Sequence, residues 1–157
     1  RPEAIKLAPV ILRFSSSNDF NVRIISTGQH KEMVYQVLEI FSLKPDKDLD
    51  IMSHGQSLSD ITSKTLDGLN LEFKEHRPDL VLVQGDTTTA FASCLAAFYN
   101  KIQIGHIEAG LRTFNRYNPF PEEINRRIIS QLATLHFAPT DLAKKKSSVI
   151  KFARFYL

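Results

Sequence analysis

Three sets of carboxylates stand at places where an α/β fold would expose them. Gln84-Gly85-Asp86 closes a short apolar run, Leu80 to Val83, and a second β-branched run, Ile102 to Ile107, closes in Glu108-Ala109-Gly110. Glu122-Glu123 follows Pro121 at a helix start. An alanine-rich apolar segment joins the two runs, so the stretch reads strand, helix, strand, the signature of a βαβ unit in a parallel sheet. Ligands of such sheets bind beyond the carboxyl ends of the strands. Carboxylates gathered at that rim suit proton chemistry, because like charges at close range favour one acid and one ionised base.

Each residue also has a purely structural explanation. Asp86 precedes threonines and could serve as a helix N-cap, or, with Thr87, Thr88 and Thr89, as a polar rim beside a helix N-terminus that favours an anion. Glu108 could pair with Arg112. His106 lies two residues earlier on the same strand face, and a lone histidine there is more often structural than catalytic. Glu122 and Glu123 complement the helix dipole, and Arg126 and Arg127 stand at i+4 from each. Arg1 and Lys6, near another helix start, could bind phosphate or face solvent. The segment is not a Walker loop, since it lacks Gly-Lys-Ser/Thr, and G-x-G-x-x-G is absent.

These residues need elements to hold them. Pro2 and Glu3 fit the first turn of a helix whose stripe runs through Ile5, Ala8 and Leu12, with Pro9 expected to bend it. Val22 to Ser26 reads as a strand, Lys31 to Phe41 as an amphipathic helix, and Pro45 to Asp50 as a turn. Ser57-Leu58-Ser59-Asp60 has capping-box spacing and opens a helix that ends before Arg77-Pro78. After the central unit come a helix, Glu122 to Leu132, and a short strand at His136-Phe137-Ala138. About four strands alternating with four or five helices predict a doubly wound parallel α/β sheet.

Bulk properties set the outer bounds. The 157 residues suffice for one domain with a core, and 43% hydrophobic with 24% charged residues is ordinary for a globular chain. No apolar run approaches a membrane span, and the single Cys94 can form no internal disulfide, so a cytoplasmic location is the expectation. The formal charge of +3 is unevenly spread. Lys144, Lys145, Lys146, Lys151 and Arg154 lie beyond residue 143 with no acidic residue among them. A solvated basic tail is therefore expected rather than a nucleic-acid surface.

The motifs RPEAIKLAP, TGQHKEM, VLVQGDTTTAFASCLAAFY, GHIEAGLRT and NPFPEEINRR, in that order over residues 1–141, resemble those of the non-hydrolysing UDP-N-acetylglucosamine 2-epimerases. The resemblance implies a Rossmann-like N-terminal lobe of a GT-B-type fold, spanning residues 1–143, with residues 144–157 a divergent tail. It implies interconversion of UDP-N-acetylglucosamine and UDP-N-acetylmannosamine, by loss and re-addition of UDP through a 2-acetamidoglucal, with no metal or redox cofactor. By position, Asp86, Glu108 and Glu122 match the catalytic carboxylates, with Asp86 and Glu108 also touching substrate. Arg1 and Lys6 match UDP-contacting residues, and Gln29 matches a position that contacts a second, allosteric substrate molecule in some members. A homodimer is also implied. The chain departs from the pattern in starting at Arg1, where the family has a strand and Gly-Thr; in Phe114, where many members have glycine; and in lacking a second lobe. A fragment inactive alone is therefore expected. The rival readings are a catalytically silent module of the same fold, a GT-B glycosyltransferase lobe, and nucleic-acid binding through the tail.

Overall fold

The computed structural model describes residues 2–28 and 31–146. Its chain divides into two compact units, residues 1–56 and 57–157. Arg1, Gln29 and the tail beyond Lys146 lie outside the described residues.

The first unit carries α1 (Pro2–Ser15), β1 (Ile25–Ser26), α2 (Lys31–Ile40) and β2 (Lys47–Asp48). β1 and β2 pair in parallel, Ile25 opposite Lys47 and Ser26 opposite Asp48. The expected strand from Val22 shrinks to two residues, and the expected turn from Pro45 contains β2. Side chains stand in for a longer ladder here: Asp46 Oδ2 accepts from the Ile24 N–H at 2.7 Å, and the Tyr35 hydroxyl donates to Asp48 Oδ2 at 2.8 Å. Lys6 lies on α1.

The second unit carries α3 (Leu58–Glu75), β3 (Leu80–Gln84), α4 (Thr88–Tyr99), β4 (Gln103–Ile107), α5 (Glu122–Leu132), β5 (Leu135–Phe137) and α6 (Asp141–Lys146). The capping box at the head of α3 is complete, with Ser57 and Asp60 each accepting from the other's N–H. The strands run parallel in the order β3-β4-β5. Both units are thus α/β with parallel strands, as the sequence pattern indicates. α6 was not anticipated, and it takes in the first three residues of the expected tail.

Small residues let α4 sit close to its neighbours: Ala92, Cys94, Ala96 and Ala97 are wholly buried. Asn100 at its end donates through Nδ2 to Asn70 Oδ1 on α3 at 2.7 Å. Along the sheet, Val81, Val83, Ile104, His106 and His136 share one face by register and alternation. Gly105 lies on the other face, where an added Cβ would come within 2.5 Å of Leu82 Cδ2 and 3.2 Å of Phe137 Cε2. Only a residue without a side chain lets those two neighbours close over the middle strand.

Candidate active site

The parallel ladder continues past the ends of its strands. Gly85 N–H donates to Ile107 O and Ala109 N–H to Phe137 O, each at 3.0 Å, so the segments carrying Asp86 and Glu108 stay aligned after β3 and β4 stop. Gly85 turns the chain at φ +77°, a conformation glycine adopts freely. Glu108 also sits in the left-handed region, at φ +69°. A non-glycine residue held there is strained, and such strain collects at functional sites.

One guanidinium joins the two carboxylates. Arg126 on α5 places Nη2 2.8 Å from Asp86 Oδ2 and 2.9 Å from Glu108 Oε2. Its Nη1 donates to the Glu108 main-chain oxygen. The Arg126 side chain is only 7% exposed, while the two carboxylates are half-buried, so a buried cation holds two anions that still reach the surface. The neighbouring Asn125 donates through Nδ2 to Asp86 O at 2.9 Å, tying the same turn of α5 to the same loop.

These contacts revise the local explanations of the sequence. Asp86 does not cap α4; the cap is Thr87, whose Oγ1 accepts from the Ala90 N–H at 3.1 Å. Arg112 donates to Ser130 Oγ at 2.6 Å and to Leu111 O at 2.8 Å, while the Glu108 side chain meets Arg126. Of the two expected i+4 pairs, Arg127–Glu123 forms at 2.9 Å, and Arg126 turns instead to the strand ends.

The adjacent glutamates therefore divide. Glu123 is buried, accepting from the Thr113 N–H and from Arg127 Nε, each at 2.9 Å. Burial pushes its carboxyl up, but the Thr113 amide, Arg127 and Arg112 outweigh that and hold it below the ordinary carboxyl range. Glu123 thereby pins the loop leading into α5. Glu122, on the first turn, keeps Oε2 buried and without a hydrogen-bond partner among the described residues. In the same loop, Phe114 has φ +65°, which accounts for glycine being at ease there; its ring is exposed, with Lys146 Nζ 5.6 Å from the centroid.

Behind the site, His106 is fully buried, and its Nε2 donates to Gly85 O at 2.7 Å. Desolvation drives its pKa down to about 4; the Gly85 bond opposes this, while Arg126, His136 and Arg112 add to it. The ring is therefore neutral at pH 7 and fixes the turn that delivers Asp86.

A shallow cavity of about 250 Å³ adjoins Asn125, walled by Leu58, Phe91 and Pro121 with Ser59, Thr62 and Thr88. Elsewhere, Glu72, Glu75 and His76 bring one ligand atom each within 4.8 Å of one another, and the Glu72–His76 i,i+4 contact at 3.3 Å accounts for that grouping. No described helix is long and apolar enough to cross a membrane.

The family model of the UDP-N-acetylglucosamine 2-epimerases matches residues 13–150. The chain belongs to this family. It is 57% identical over 140 residues to a Thermotoga maritima relative, covering 89% of this chain and 37% of that protein. It is 54% identical over 144 residues to the UDP-N-acetylglucosamine 2-epimerase of Bacillus subtilis, covering 92% and 38%. The crystal structure of the Neisseria meningitidis enzyme bound to UDP-GlcNAc superposes with a TM-score of 0.92 at 52% identity, over 95% of this chain and 40% of that one. The fold is accordingly that of a Rossmann-like GT-B-type lobe, and the chain spans about two fifths of the length of the relatives it matches.

The site thus unites two of the three expected carboxylates directly and places the third on the helix that joins them. Arg126 and Asn125, which do the joining, were not singled out from the sequence. The available signal was that EEINRR begins the helix that follows β4, the next one in the chain after both strand ends, so its second turn could face them.

Proposed function

We propose that this chain supplies the carboxylate side of a site that interconverts UDP-N-acetylglucosamine and UDP-N-acetylmannosamine. The reaction would lose UDP to give 2-acetamidoglucal and add it back with the opposite configuration at C2. The observation that carries the reading is the Asp86–Arg126–Glu108 cluster at adjacent strand ends, with Glu122 on the same helix, its buried Oε2 lacking a hydrogen-bond partner among the described residues. The C2 proton is weakly acidic and UDP leaves as an anion, so the chemistry needs a base, an acid and cationic or main-chain donors at the diphosphate. Asp86 and Glu108, already engaged by a cation, suit fixed acceptors for sugar hydroxyl or amide groups. Glu122 suits proton transfer, its Oε2 having no hydrogen-bond partner among the described residues. Arg1 and Lys6 are assigned to the diphosphate and Gln29 to a second substrate molecule through the family motifs alone. The scheme calls for no metal or redox cofactor; the homodimer is assigned through the family resemblance alone, and the cytoplasm as the compartment where nucleotide sugars are made.

Because catalysis depends heavily on bringing all groups together, residues 1–157 alone should bind without turning over. Calorimetric titration with UDP and with UDP-N-acetylglucosamine, followed by NMR of the sugar product, tests this. Micromolar binding that weakens in Asp86→Asn and Glu108→Gln, with no UDP-N-acetylmannosamine formed, is expected. No binding at millimolar ligand would favour a silent module of the fold. Epimerisation by the chain itself would overturn its assignment as half a site.

A further inference from the structure

We propose that Arg126 is a positioning residue, one cation that sets the separation and aim of Asp86 and Glu108; the catalytic part of this inference rests on the function proposed above. A single nitrogen, Nη2, stands within hydrogen-bond distance of Asp86 Oδ2 at 2.8 Å and Glu108 Oε2 at 2.9 Å. Those two oxygens can therefore be no farther apart than the two contacts laid end to end. The other terminal nitrogen donates to the Glu108 main-chain oxygen, so one planar group holds both the side chain and the backbone of a residue kept at φ +69°. Its neighbour Asn125 holds Asp86 O. Two consecutive residues of α5 thus fix two strand-end loops, and that turn of helix is the common reference for both carboxylates.

The start of the same helix is itself anchored. Glu123 accepts from the Thr113 amide in the loop before it, so α5 cannot rotate about its axis without breaking that bond to a buried carboxylate. The i+4 pairing open to Arg126 on its own helix is passed over for the strand ends. Lysine cannot substitute here. Its ammonium is one point on a flexible stem, whereas this site uses two nitrogens of a rigid fork in fixed relation. Glu122 and Arg126 share α5, so the helix that fixes the acceptor pair also carries the group assigned to proton transfer.

NMR of the isotope-labelled chain tests this, using Arg126→Lys, and Arg126→Ala with and without added methylguanidinium. In Arg126→Ala the side-chain carboxylate carbons of Asp86 and Glu108 and the amides of Gly85, Asp86, Glu108 and Ala109 should all shift. Methylguanidinium, but not methylammonium, should return both carboxylate signals toward wild type along one binding curve. Arg126→Lys should remain folded yet keep the Glu108 signals displaced. An arginine needed only for folding would lower the unfolding midpoint while leaving those carboxylate signals in place in Arg126→Lys, and that result overturns the proposal. So does rescue by both cations alike, or of one carboxylate alone. If Arg126→Ala does not fold, the lysine variant decides by itself. No nucleotide sugar is present in this experiment, so failure of the sugar-nucleotide reading would show in the titration above and not here.

Discussion

Acidification from pH 7 to pH 4 should remove a definable part of the stability through one residue, His106. Its ring has no exposed surface, its Nε2–H is committed to Gly85 O, and Nδ1 is buried without a partner among the described residues. A proton added at Nδ1 would create a desolvated charge facing Arg126, Arg112 and His136, all cationic or able to become so. The folded chain therefore takes up this proton only near pH 4, whereas the unfolded chain takes it up near the ordinary histidine value of 6.5. Between those values the unfolded state binds more protons, so stability falls as pH falls. The loss is complete below about pH 4, where both states are protonated. A gap of roughly 2.5 pH units at 1.36 kcal/mol each gives about 3 kcal/mol. For a domain stable by only about 5–15 kcal/mol, that is a large share.

His106→Gln isolates the effect, since a glutamine amide can still donate to Gly85 O and does not titrate. Urea unfolding of both proteins at pH 7, 6, 5 and 4 should show the variant losing about 3 kcal/mol less than the wild type across that range. His136, lowered chiefly by burial, and Glu123, whose carboxyl is held below its ordinary range, are present in both proteins and cancel in the comparison. Parallel pH curves for the two proteins would refute the argument, as would a His106 ring signal that titrates near 6.5 in the folded chain.

Two further substitutions probe the frame around the site. Thr87→Ala should cost about 1 kcal/mol by thermal unfolding, the usual loss for an N-cap hydroxyl, and an unchanged midpoint would return the cap to Asp86. Gly105→Ala should cost about 1–3 kcal/mol in urea unfolding, because its Cβ would press on Leu82 Cδ2 and Phe137 Cε2. Combining it with Leu82→Ala should recover part of that loss relative to Leu82→Ala alone, and strict additivity would contradict the steric account.

What could be read from the sequence was whatever depends on neighbours along the chain. The central βαβ unit was legible because short apolar runs stop at Gly85 and Glu108 and an alanine-rich helix lies between them. The capping box at Ser57 was legible for the same reason, its two partners being three residues apart. β2 was not, since Lys47–Asp48 is a polar pair in a segment of proline and aspartates that gives no period-2 signal. α6 was hidden by a lysine run that looked like solvated tail. At the N-terminus of α4, Asp86 and Thr87 are adjacent and both able to cap, and a local rule cannot rank them. The tertiary pull of Arg126 and Asn125 on Asp86 decides the matter, leaving the hydroxyl for the helix. Arg126 itself was obscured by a sufficient local explanation, the i+4 glutamate. Its actual partners come from distant segments, where no spacing rule operates. Local rules fail here at the residues that bind separate segments into one site, because such a residue gives up its best near neighbour for a distant one.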